Sequence, residues 1–80
     1  MYTEKKITKA NGLIPEHCAV IAQAAGRFNS EISIIKGNKK VNAKSIMGLI
    51  SLNIKKDDRV FLSINGDDEK EALEKLLVLL

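Results

Sequence analysis

The feature that most constrains this chain is an alternation of side chains over residues 59 to 65. Val60, Leu62 and Ile64 recur at every second position, and Arg59, Phe61 and Ser63 alternate with them. A period of two predicts a β-strand with one face in a core and the other toward solvent. Asn65-Gly66 then ends the strand. A half-buried strand needs neighbouring strands and a second layer that packs on its apolar face. The rest of the chain must therefore supply the other strands of a sheet and the elements that bury that face.

Three weaker strands supply the rest of the predicted sheet. Met1 to Lys9 predicts a first strand with few apolar residues. Glu31 to Ile34 alternates as a half-buried strand does. Gly37-Asn38 has the composition of a tight hairpin turn, so Lys39 to Asn42 is expected to return as the neighbouring strand.

Three helices are predicted between and after these strands. Pro15 suits the first turn of a helix, where its missing N–H costs nothing, and Ser45 suits the N-cap of a second helix. Asp67, Asp68 and Glu69 place carboxylates at the start of a third, where the helix dipole favours them. The first helix has the apolar stripe Cys18, Ile21, Ala25 and Phe28, and the third has Ala72, Leu73, Leu76, Leu77 and Leu80.

The predicted order is therefore β-α-β-β-α-β-α. This order predicts an α+β open-faced β-sandwich, with a four-stranded antiparallel sheet and three helices on one face. Eighty residues suffice for one hydrophobic core, so we expect a single domain over 1–80.

Composition narrows the classes of function. The chain has one cysteine, no Cys/His pairs at zinc spacing and no apolar run of membrane length, so we expect a cytoplasmic protein without metal, cofactor or membrane contact. A formal net charge of +3 with scattered lysines attracts acidic partners weakly. A plain nucleic-acid-binding module is an alternative, but three aromatic residues and no basic stripe argue against direct nucleic-acid contact.

The helix that starts at Ser45 is unusual because it is apolar on nearly all sides. One face of so short a helix can enter the core, and the rest should stay exposed as a docking surface with a modifiable hydroxyl at its rim. The alternative is a plain N-cap on a core helix. The apolar residues are Ile46, Met47, Leu49, Ile50 and Leu52.

The run from Val41 to Leu49 closely resembles the regulatory-serine segment of HPr, the histidine-containing phosphocarrier of the bacterial sugar phosphotransferase system, and especially of its Crh-type paralogues. The resemblance extends from Glu4 to Leu80 and implies the same open-faced fold. It implies a regulatory role in carbon catabolite control, with Ser45 phosphorylated by the HPr kinase/phosphorylase. The partner implied for that state is a LacI-type catabolite control protein. The expected partner-docking residues are Lys44, Ile46, Met47, Leu49 and Ile50.

The same resemblance places the family's phosphoacceptor site at residues 12–18. HPr reads Gly-(Leu or Ile)-His-Ala-Arg-Pro-Ala there, and this chain reads Gly-Leu-Ile-Pro-Glu-His-Cys. Ile14 stands at the histidine position and cannot carry phosphate, and Glu16 stands at the arginine position, where it would repel one. The resemblance therefore implies a phosphoacceptor and regulatory protein without catalytic turnover, whose histidine site is lost.

Three alternatives accompany this interpretation. His17 lies in the same first helical turn and could serve a displaced phosphocarrier, although Pro15 and Glu16 oppose it. Cys18 beside it is expected to be a small core residue, because adjacent helical side chains do not face each other. The leucine-rich end at Leu80 leaves either a monomer or a weak homodimer open.

Overall fold

The computed structural model describes all 80 residues and has the predicted order of elements. The strands and helices are β1 (Tyr2–Lys6), α1 (Pro15–Gly26), β2 (Glu31–Lys36), β3 (Lys39–Asn42), α2 (Ile46–Ser51), β4 (Arg59–Asn65) and α3 (Glu69–Leu79). The α+β class and the β-α-β-β-α-β-α order are confirmed.

The four strands form one antiparallel sheet in the order β1-β4-β2-β3. The strongly alternating β4 is therefore central, paired with β1 on one side and β2 on the other. Leu62 lies opposite Ile34 of β2 and Thr3 of β1. This central position explains why β4 has the clearest alternation, since both of its neighbours are strands and its inner face is covered by helices.

The core lies between the sheet and the three helices. Its 18 buried apolar residues form one cluster, which includes Val60, Leu62 and Ile64 of β4 and Leu49 of α2. The outer face of the sheet is open, and there the rings of Tyr2 and Phe61 stack with their centroids 5.1 Å apart. The fold is therefore the open-faced sandwich that the order of elements predicted.

The end of α3 packs onto the chain's own core. Leu76 and Leu80 are buried, whereas Leu73 and Leu77 of the predicted stripe are partly buried. Val78 stays exposed on the other side of the helix. No helix in the structure is both long enough and apolar enough to cross a lipid bilayer.

Lysines from the neighbouring strands hold the C-terminal end of α2. Lys36 donates from Nζ to the Leu52 and Asn53 carbonyls, at 3.2 and 2.8 Å, and also pairs with Asp58 at 2.9 Å. Lys39 donates to the Ser51 carbonyl at 3.1 Å. A helix of six residues is marginal by itself, and these cations satisfy carbonyls that its last turn leaves free.

Asp68 joins the start of α3 to the start of β2. Its carboxylate accepts hydrogen bonds from the Asn29 and Ser30 amides, at 2.8 and 3.0 Å, and from the buried Ser30 hydroxyl. The Ser30 hydroxyl and the Asn29 amide lower the pKa of Asp68 below its usual value. Gly66 keeps this junction close, because a Cβ on Gly66 would lie 2.5 Å from Ser30 Oγ.

Candidate functional site

Ser45 caps α2 with its own side chain. Its backbone is extended, with φ −105° and ψ 114°, and its Oγ accepts a hydrogen bond from the Gly48 amide at 3.1 Å. A Cβ on Gly48 would lie 3.2 Å from Val41 Cβ and 3.3 Å from Ser45 Oγ, so glycine lets the cap and β3 approach closely. The predicted N-cap is confirmed, and the hydroxyl is half-buried.

Beside this cap, α2 exposes three large apolar side chains, which we call the α2 ridge: Ile46, Met47 and Ile50. Met47 is the most exposed of the three, at 75%. Large apolar side chains grouped on one short helix are typical of a protein-docking surface. The ridge therefore supplies the exposed surface expected from the apolar composition of this helix.

Leu49 does not belong to that surface, and its predicted role in docking is wrong. Its side chain is 1% exposed and lies in the core cluster. The error arises because a six-residue helix with apolar residues on nearly every side gives no periodicity from which its inner face can be identified. Packing of α2 against α1 and β3 makes Leu49 its inward residue.

Lys44 is exposed, but its ammonium group already donates a hydrogen bond to a backbone carbonyl. Its Nζ donates to the Phe28 carbonyl at 2.8 Å, just beyond the end of α1, and its amide donates to Asn42 Oδ1 at 2.9 Å. The ammonium thereby links the start of α2 to the end of α1. No local pattern indicates this link, because it depends on how the two helices pack.

The start of α1 has no side-chain cap. Ile14 occupies the N-cap position with φ −69° and ψ 165°, and its side chain is 37% exposed. Its carbonyl accepts the first helical hydrogen bond from the Cys18 amide at 3.0 Å. Pro15 contributes no N–H, and Glu16 adds a carboxylate to the first turn. An aliphatic cap provides no atom that can accept a phosphoryl group.

A groove of about 600 Å³ runs from the start of α1 to the end of α2. It brings Ile14 next to Ile50 of the α2 ridge and places Lys55 and Lys56 at the same opening. The sequence does not single out these two lysines, because adjacent lysines in a polar loop have no distinguishing pattern. The lining residues are Ala10, Asn11, Leu13, Ile14, Pro15, Ile50, Asn53, Lys55 and Lys56.

His17 and Cys18 do not form a catalytic pair. His17 is partly buried, and its Nδ1 is buried without a hydrogen-bond partner. Cys18 lies in the core, with Sγ 3.5 Å from the Leu13 carbonyl, and burial raises the pKa of its thiol. A thiol whose pKa is raised is a poor nucleophile.

Comparisons with known proteins agree on one family. The model of the PTS HPr component phosphorylation site matches residues 2–80. The HPr-like protein Crh of Bacillus subtilis is 51% identical over 65 residues, which cover 81% of this chain and 76% of that protein. The phosphocarrier protein HPr of Buchnera aphidicola from Acyrthosiphon pisum is 40% identical over 75 residues, covering 94% of this chain and 88% of that protein.

The solved structures give the same result. The crystal structure of the phosphocarrier protein HPr from Bacillus anthracis superposes with a TM-score of 0.95 at 38% identity, covering 100% of this chain and 95% of that one. A crystal structure of Crh from Bacillus subtilis, described as a domain-swapped dimer, has a TM-score of 0.79 at 44% identity, covering 94% and 86%. These relatives are phosphocarrier proteins and HPr-like proteins, and they are not enzymes. The chain belongs to the HPr family of the phosphotransferase system, and Crh proteins are among its relatives.

Proposed function

We propose that this protein is a Crh-like regulatory member of the family that is phosphorylated on Ser45. The observation that carries the proposal is the half-exposed Ser45 hydroxyl beside the exposed α2 ridge. A kinase can reach such a hydroxyl, and a partner can read the modified residue together with the apolar side chains beside it. The resemblance to the Crh regulatory-serine segment supports the same residue.

The start of α1 supports regulation rather than phosphate relay. Ile14 stands where the family resemblance places the phosphoacceptor histidine, and the exposed Glu16 stands where it places the arginine. A carboxylate in the first turn of α1 repels a phosphate, whereas a guanidinium binds it in two parallel hydrogen bonds. We infer that phosphate transfer through this position is lost.

Phosphorylation at Ser45 would change the charge of the docking surface without removing its apolar side chains. The phosphate adds about −1.5 to −2 charges next to the α2 ridge. Its oxygens would meet the Gly48 amide, which already donates to Oγ. The expected partner is a LacI-type catabolite control protein, and the enzyme that adds the phosphate is the HPr kinase/phosphorylase. The setting we propose is the cytoplasm.

Incubation with the HPr kinase/phosphorylase and ATP tests this proposal. Mass spectrometry of the intact protein should show one added phosphate on the wild type and none on Ser45→Ala. Ser51→Ala is the matched control, because Ser51 is an exposed hydroxyl on the same helix that donates to the Gly48 carbonyl at 2.6 Å. An unmodified wild type, or equal modification of Ser45→Ala, would refute the assignment.

A displaced phosphocarrier that uses His17 is the alternative. His17 lies in the first turn of α1, but its Nδ1 is buried, so a donor protein cannot reach that nitrogen. Incubation with phosphoenolpyruvate and the first enzyme of the phosphotransferase system should leave the wild type without acid-labile phosphate. Acid-labile phosphate that disappears in His17→Ala would establish this alternative instead.

Self-association is the remaining part of the proposal. One Crh structure from Bacillus subtilis is described as a domain-swapped dimer. We infer a monomer or a weak homodimer for this chain. Sedimentation at several protein concentrations tests it, and a dimer that persists at high dilution would contradict it.

A further inference from the structure

A second groove lies between α1 and α3. Its volume is about 320 Å³, and no residue of α2 lines it. Its one link to the Ser45 surface is the hydrogen bond from Lys44 Nζ to the Phe28 carbonyl. An inference about this groove does not depend on the proposed function, because none of the α2 ridge residues lines it. The lining residues are Val20, Gln23, Ala24, Arg27, Phe28, Lys75 and Leu79.

The floor and one rim of this groove are apolar. Phe28 and Leu79 are partly buried against the core and show their remaining surface here. Val20 is 50% exposed on the rim. These side chains come from both helices, so the apolar surface is continuous across the junction between α1 and α3. An apolar ligand group seated there would be removed from water on several sides.

The charges around the groove are all positive. Arg27 lines it from the C-cap of α1 and Lys75 lines it from α3, and no aspartate or glutamate does. Neither cation is within 4.0 Å of a carboxylate, and neither side chain donates a hydrogen bond within the chain. Two cations without partners beside an apolar floor complement a ligand that carries one anionic group and one apolar group.

The size of the groove favours a small molecule over a protein. A stable protein interface buries about 800 Å² on each partner, which far exceeds what seven side chains around one shallow groove provide. Small-molecule sites start at about 300 Å³. We propose that the α1/α3 groove binds a small amphipathic organic anion, with the anionic group between Arg27 and Lys75 and the apolar group over Phe28 and Leu79.

Titration with hexanoate, followed by amide chemical shifts, tests this proposal. We expect saturable shifts around Ala24, Arg27 and Leu79, and unchanged shifts around Met47 of the α2 ridge. The dissociation constant should be millimolar, as suits a ligand of few heavy atoms. Hexyl phosphate, which has the other common anionic group, should bind at the same place. Absence of saturable shifts with both probes would overturn the proposal.

Two further probes distinguish specific recognition of an amphipathic anion from nonspecific apolar or ionic binding. Hexanol has the apolar group without the charge, and inorganic phosphate has the charge without the apolar group. Both should bind at least tenfold more weakly than hexanoate, because each loses one of the two complementary contacts. Equal binding of hexanol would overturn the role of the cations, and equal binding of phosphate would overturn the role of the apolar floor.

Variants locate the site. Arg27→Gln with Lys75→Gln should weaken hexanoate binding at least tenfold, and both substitutions are at exposed positions, so the fold should persist. Lys56→Gln with Lys70→Gln is the matched control, since it also removes two exposed cations, and neither of them lines the groove. A loss of affinity in this control as large as in the first double variant would show attraction to net charge only and would overturn the proposal.

Discussion

The starts of α1 and α2 differ in the one property that decides their chemistry. Ile14 begins α1 with an aliphatic side chain that makes no capping hydrogen bond, and Ser45 begins α2 with a hydroxyl bonded to the Gly48 amide. Both positions lie next to exposed apolar side chains, and Ile14 shares a groove with Ile50. One helix start can hold a covalent modification, and the other can only offer apolar contact.

This difference bears on the proposed function. Isoleucine at position 14 supplies no nucleophile but does supply apolar surface in the groove that Ile50 of the α2 ridge also lines. Capping and the proposed phosphorylation of Ser45 are compatible, because the oxygen that caps the helix is also the atom that would carry a phosphate. Substitutions at Ile14 and Ser45 can test whether the side chain at each helix start decides its chemistry.

The largest effect is expected from building a phosphoacceptor site at the position where the family resemblance places it. Ile14→His together with Glu16→Arg should acquire acid-labile phosphate from phosphoenolpyruvate and the first enzyme of the system, where the wild type acquires none. The imidazole supplies the acceptor, and the arginine replaces a repelling carboxylate. Ile14→His alone should be phosphorylated more slowly. A folded double variant that never takes phosphate would show that Pro15 or the surrounding groove also blocks the donor.

The next largest effect separates the two faces of α2. Leu49→Ala should lower the free energy of unfolding by about 2–5 kcal/mol, because it leaves a cavity in the core. Met47→Ala should change it by less than about 0.5 kcal/mol, since that side chain is mostly in water. Urea denaturation measures both. A large loss in Met47→Ala would place the ridge in the core and contradict its assignment as a docking surface.

A smaller effect compares the caps directly. Ser45→Ala should lower the free energy of unfolding by about 1 kcal/mol through loss of the cap. Ile14→Ser should change it by less than about 1 kcal/mol, because a gained cap offsets part of the lost apolar contact. Denaturant titrations of the two variants side by side give the comparison. An equal, large destabilisation in both would mean that capping does not distinguish the helix starts.

The smallest effect concerns the start of α3, where the N-cap residue is the charged Asp68. The hydrogen bond from the Ser30 hydroxyl and that from the Asn29 amide lower the pKa of Asp68 in the folded state. Its contribution to stability is therefore complete above the unfolded pKa of about 4 and is lost as the pH falls through the lower folded pKa. The melting temperature of Asp68→Asn should lie below that of the wild type at neutral pH.

That difference should shrink as the solution is acidified, because the protonated Asp68 of the wild type then resembles the asparagine. Asp67→Asn is the matched control, since the Asp67 carboxylate makes none of these hydrogen bonds. A difference between Asp68→Asn and wild type that stays constant with pH would show that the ionised carboxylate is not what joins α3 to β2.

Local patterns predicted the elements well. The structure has β3 at Lys39–Asn42 and β4 at Arg59–Asn65, as the turn residues and the alternation predict, and α1 begins at Pro15. These features depend on a few neighbouring residues: a ring that sets φ, a glycine that permits a turn, a period of two. Contacts between distant elements were not predictable in this way. The Lys44 bond to the Phe28 carbonyl and the Asp68 bonds to Ser30 join residues that no local pattern relates.

By itself, the sequence determined the order of elements, the family resemblance, the hydroxyl at the start of α2 and the absence of a nucleophile at Ile14. Only the tertiary structure decided which apolar residues of α2 face outward, that Leu49 is a core residue, and that Arg27 and Lys75 line the same α1/α3 groove. The physical reason is that a cap or a missing functional group is a property of one residue and its neighbours. Burial and charge complementarity are properties of the packed layers.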